Sequence, residues 1–132
     1  MSDSDIETLR AEYDALSRRD WDSLFDSAHP EFEFRTPDRG LGPGVVRGPE
    51  RARRAMQDFF EPYEEILVEP QEFFDADERI VVYFRQRCRP KGSSAVVEIR
   101  AGHLWTMRDG RAASLQIFPE REAARVAAGL LE

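Results

Sequence analysis

Residues 96–118 read VVEIRAGHLWTMRDGRAASLQIF, and no other stretch limits the fold so sharply. Val97, Ile99, Ala101, His103, Trp105 and Met107 alternate with Glu98, Arg100, Gly102, Leu104 and Thr106, the period of two that marks a strand with one buried face. Asp109-Gly110 is a pair that readily takes the positive backbone angles of a tight hairpin, and Leu115, Ile117 and Phe118 belong to the returning strand. One member of the inward row is polar. His103 shares its face with five apolar neighbours, so its ring points inward, either into packed core or into a cavity.

A half-buried sheet needs a cover, and the chain before the hairpin supplies helices. Ser4 and Glu7 stand at capping-box spacing, and Ile6, Leu9, Tyr13 and Leu16 recur at helical intervals behind them. Asp20 can cap a second, short helix with Trp21, Leu24, Phe25 and Ala28 on one face. His29-Pro30 ends it, because proline restricts the residue before it, and a short strand over 31–36 follows with Phe32 and Phe34 on one side. Residues 37–48, PDRGLGPGVVRG, hold four glycines and two prolines and read as an exposed loop. Gly48-Pro49 starts a third helix carrying Ala52, Ala55, Met56, Phe59 and Phe60, and Pro62 closes it.

The remainder predicts strands over 66–74, 80–89, 95–107 and 112–118, then a short helix over 120–128 stopped by Gly129. Pro70 makes the first of these strands an edge strand or the site of a bulge. Helices first and an antiparallel meander afterwards give one α+β domain over residues 1–132, with the sheet curling around three N-terminal helices.

Composition excludes several function classes. Cys88 is the single cysteine, which forbids an intramolecular disulfide and suits a reducing compartment. The N-terminus MSDSDIETLR is acidic and polar, and no apolar run reaches spanning length, so a cytoplasmic protein is expected. A net charge of -7 opposes nucleic acid and anionic membrane as partners. Arg85, Arg87 and Arg89 form a local basic row, read as outward strand positions paired with Glu98 and its neighbours. Two histidines and one cysteine without paired spacing argue against a metal site.

The order of elements, the 21–34 segment with His29-Pro30, the Gly48-Pro49 helix start and above all residues 101–130, AGHLWTMRDGRAASLQIFPEREAARVAAGL, carry a family resemblance. The chain resembles the SnoaL-like branch of the nuclear-transport-factor-2-like superfamily, in particular its small bacterial members. That resemblance implies a conical α+β barrel: a strongly bent, mostly antiparallel sheet around the helices, a deep pocket, and a homodimer through the outer sheet face. The superfamily includes ketosteroid isomerases, polyketide cyclases, epoxide hydrolases and dehydratases, so the fold alone does not choose an activity.

Matched to ketosteroid isomerases, Tyr13 falls at the oxyanion-binding tyrosine and His103 at or beside the second oxyanion donor. The isomerase base would fall near Arg35-Thr36, where no carboxylate stands in register, and 112–118 holds no acidic residue to act as a cyclase base. The expectation is therefore a small-molecule-binding protein with an apolar pocket for a polyketide-, steroid- or terpenoid-like compound. Tyr13 and His103 are its candidate catalytic residues, in cofactor-free acid-base chemistry of isomerase, cyclase or dehydratase type. Trp105, Phe34, Phe32, Trp21, Phe59 and His29 are candidate ligand contacts, each with an ordinary core or helix-end role as its alternative. The competing expectation is a non-catalytic ligand-binding or accessory homodimeric module.

Overall fold

A computed structural model describes residues 2–37 and 44–131. Helix α1 spans Ser2–Arg18, α2 Trp21–Asp26, α3 Pro49–Phe60 and α4 Arg121–Ala127. The strands are β1 Glu33–Arg35, β2 Val45–Arg47, β3 Tyr63–Ala76, β4 Arg79–Pro90, β5 Val97–Arg108 and β6 Arg111–Phe118. They form one curved, open sheet in the order β2-β1-β6-β5-β4-β3. Every pairing is antiparallel except β1 with β6.

Local chemistry explains most boundaries. Asp109 and Gly110 both take positive φ, 55° and 73°, as a tight β5–β6 turn demands. Asp20 caps α2, accepting from Ser23 N at 3.2 Å and Ser23 Oγ at 2.7 Å. Gly48, at φ 96°, is a backbone shape for which glycine is suited, and Pro49 opens α3 behind it. Pro70 lies on an edge strand and at a register shift between Pro70 and Glu72, so both of its expected settings occur together. The free edge at β3 is partly occupied by α1: Ser17 Oγ takes Val68 N at 3.0 Å.

Several boundaries differ from the sequence reading, most by a residue or two, and three bear on the fold. Helix α1 begins at Ser2, placing Ser4 inside the helix, where its carbonyl accepts from Thr8 Oγ1 at 3.1 Å. Asp3 and Asp5 in the first turn supply the negative charge that a helix N-terminus favours. Within 37–48, read as loop, Val45–Arg47 forms β2 against β1; residues 38–43 lie outside the described residues. Strand β3 starts at Tyr63, directly after Pro62.

The sheet is apolar on both faces over part of its area. Its concave side, including Ile80, Val82, Phe84 and Trp105, packs on Leu9, Tyr13 and Met56 of the N-terminal helices. Its convex side carries Val81, Tyr83 and Leu104 against Ala124 and Ala128 of the C-terminal segment. Arg79 ties that segment down by donating to the carbonyls of Ala127 at 3.2 Å and Ala128 at 3.1 Å. Elsewhere the convex side is charged: Arg85 meets Glu69 at 2.8 Å and Glu98 at 3.9 Å, and Arg89 meets Glu65 at 2.6 Å.

Candidate functional site

Between the concave sheet and the helices lies a cavity of about 220 Å³. Leu16, Met56 and Phe60 come to it from the helices, and Phe34, Phe84 and Leu115 from the sheet. Phe59 and Ile99, both more than a third exposed, also line it and mark its open side. Among the described lining residues two bear polar side chains, Gln86 of β4 and His103 of β5. A wider depression of about 590 Å³ beside the ends of β3 and β4 is charged, with Arg18, Arg19, Glu64, Arg87 and Arg89 on its walls. Few polar groups converging from apolar walls define a ligand site better than a solvated charged surface, so the smaller cavity is the candidate.

His103 is held from behind. Its Nδ1 lies 2.7 Å from the Tyr13 hydroxyl, which in turn accepts from Trp105 Nε1 at 2.8 Å. The indole can only donate, so it occupies a lone pair of the phenol oxygen; the phenol proton is left for Nδ1, its one remaining neighbour in the network. This assignment puts the imidazole proton on Nε2. The stacked Phe84 ring, centroids 3.9 Å apart, fixes the plane of the imidazole. Nε2 has no hydrogen-bond partner among the described residues, and the sealed polar atoms without a partner are Tyr83 Oη, Arg121 Nε and Arg125 Nε. Nε2 is thus the polar atom of the ring that remains open to the cavity.

Burial sets the charge state. Desolvation lowers the His103 pKa to about 3, so the ring is neutral at physiological pH. The same burial pushes the Tyr13 phenol well above its usual value, with the Trp105 bond opposing. A neutral phenol, a neutral imidazole and an indole therefore form a donor chain whose outlet is Nε2–H, and an N–H aimed into an apolar space recognises an oxygen acceptor.

The sequence candidates divide by position. His103, Phe34 and Phe59 line the cavity. Tyr13, 1 % exposed, stands behind the imidazole, and Trp105 stands behind Tyr13. Phe32 packs edge-on to Phe25 in the core, and the half-buried Trp21 packs edge-on to Phe60, itself on the cavity wall. His29 lies at the end of α2, where its Nδ1 accepts from Glu31 N at 3.0 Å and its Nε2 is 3.9 Å from Asp109. Gln86 was missed although a signal existed: it interrupts the apolar alternation Ile80, Val82, Phe84, Cys88 on β4 just as His103 does on β5. Among the described residues no group of three His, Cys, Asp or Glu side chains could hold a metal ion, and no helix is long and apolar enough to cross a membrane.

The profile of the SnoaL-like domain matches residues 9–115, and the chain belongs to that family. Solved structures agree on the nuclear-transport-factor-2-like fold. TerC, co-crystallised with polyporic acid, is 23 % identical with a TM-score of 0.76, over 96 % of this chain and 98 % of that one. A nuclear-transport-factor-2-like protein of unknown function from Burkholderia pseudomallei is 24 % identical with a TM-score of 0.75, over 93 % and 95 %. A Mycobacterium tuberculosis protein in complex with estradiol-17beta-hemisuccinate is 11 % identical with a TM-score of 0.72, over 86 % and 92 %. No significant match occurs among functionally curated proteins.

Proposed function

We propose that this protein binds a compact, uncharged, largely apolar molecule and that His103 Nε2–H donates to a carbonyl or hydroxyl oxygen on it. The observation that carries this reading is the buried Trp105–Tyr13–His103 chain, which presents a neutral donor to a largely apolar cavity. Size narrows the ligand. A cavity of roughly 150 Å³ accommodates benzene, so about 220 Å³ suits one or two rings. Within the polyketide-, steroid- and terpenoid-like range, this favours the smaller bicyclic and terpenoid members. Structures of the same fold were solved with polyporic acid and with a steroid conjugate, which supports a ligand-binding interior.

Turnover of isomerase, cyclase or dehydratase type is the second reading, favoured by the preorganised donor, which would stabilise an oxyanion as it develops. Tyr13 would then act through His103 as a positioning residue. The described cavity wall holds no carboxylate or lysine, and an imidazole with a pKa near 3 is a weak base, so the proton would move by another route. Titration calorimetry with 2-acetylnaphthalene as the probe tests the binding claim. His103→Phe should weaken binding about ten-fold, the worth of one buried hydrogen bond. Equal affinity in the wild type and His103→Phe would refute the assignment.

A further inference from the structure

Gln86 is the one other polar side chain on the described cavity wall, and nothing in the donor chain uses it. It is 9 % exposed, makes no hydrogen bond to a described residue, and is absent from the sealed unsatisfied groups. Its side chain lines the cavity. An amide that is nearly buried and bonds to no described residue is under-satisfied, and a partner arriving with a ligand would relieve that.

The register fixes where this second polar point lies. Gln86 pairs with Ile99 on β5, whereas His103 is four residues further along the same strand. Four residues of strand rise span about 13 Å between backbone positions. Ile99 and Ala101 line the β5 side of the interval and Phe84 the β4 side, so the surface between the two polar points is apolar. A single-ring ligand reaching one point leaves the other unpaired. Resting on the binding reading above, we infer that Gln86 is a specificity-determining contact and that the ligand is a two-ended molecule: a slender bicyclic apolar skeleton, with an oxygen acceptor at the His103 end and a second uncharged hydrogen-bonding group, such as a hydroxyl, at the Gln86 end. The amide both donates and accepts, which suits a hydroxyl better than an ion.

Two probes of matched skeleton separate this inference from the reading it rests on: 2-acetylnaphthalene, with one oxygen, and 6-acetyl-2-naphthol, with oxygens at both ends. Calorimetry on the wild type should show the naphthol binding about ten-fold more tightly, and Gln86→Leu should abolish that preference while still binding 2-acetylnaphthalene. Gln86→Leu should also melt no lower than the wild type, since it removes, at similar volume, an amide that bonds to no described residue, so loss of folding does not confuse the result. No preference in the wild type, or the same preference in Gln86→Leu, overturns the role of Gln86 while His103-dependent binding of 2-acetylnaphthalene leaves the first reading standing. Failure of both probes to bind overturns both.

Discussion

At the scale of single residues, two buried groups are moved in opposite directions by the same cause. Burial lowers His103 to about 3, whereas it raises Glu12, held by Ser27 Oγ at 2.9 Å, to about 7. For His103 the unfolded chain binds the extra proton between its ordinary value near 6.5 and 3, so stability is lost as pH falls through that window. For Glu12 the folded chain holds the extra proton between 4.5 and about 7, so stability is lost as pH rises through that one. The two slopes oppose each other where the windows overlap. Glu12→Gln removes one of them, and its melting temperature should exceed that of the wild type by a margin that grows from pH 4.5 to 7 and then levels off. A margin independent of pH would show that Glu12 ionises freely. His103 was legible in the sequence because a strand's period is short and its face unambiguous. The place of Tyr13 behind the imidazole was not, because it depends on how far α1 is rotated against the sheet, which helical spacing leaves open.

At the scale of elements, α4 and β5 meet at Gly102. A Cβ built there would lie 3.0 Å from Ala124 Cβ and 3.4 Å from both Arg121 Cα and the Arg121 carbonyl oxygen. Backbone cannot swing aside as a long side chain does, so Gly102→Ala should shift α4 and cost about 1–3 kcal/mol, read by urea unfolding. An unchanged midpoint would mean that α4 packs loosely. The displacement would also detach Arg121 from the carbonyl of Phe84, which it reaches at 2.9 Å beside the Pro70 register shift. Strands β3 to β6 were readable from alternation and turn chemistry. Strand β2 and its pairing with β1 were not: three residues among glycines carry no measurable period, and their order comes from the partner strand.

At the scale of the whole molecule, three helices on one face and one on the other leave a sheet that is neither closed nor fully covered. Helix α4 covers the apolar part of the convex side, and the rest is laced with Arg-Glu pairs. A homodimer through that side, which we propose as the assembly, would be joined by polar contacts, and its association should weaken with salt. Sedimentation should give twice 15.2 kDa at low ionic strength; a monomer at micromolar concentration there would refute it. Recognition in the interior turns on one proton. Nitrogen-15 NMR of the histidine side chains at pH 7 reports tautomer and charge together, with His103→Phe identifying its signals. A neutral His103 carrying its proton on Nε2 is the expected result; an imidazolium, or a ring protonated on Nδ1, would contradict the donor chain.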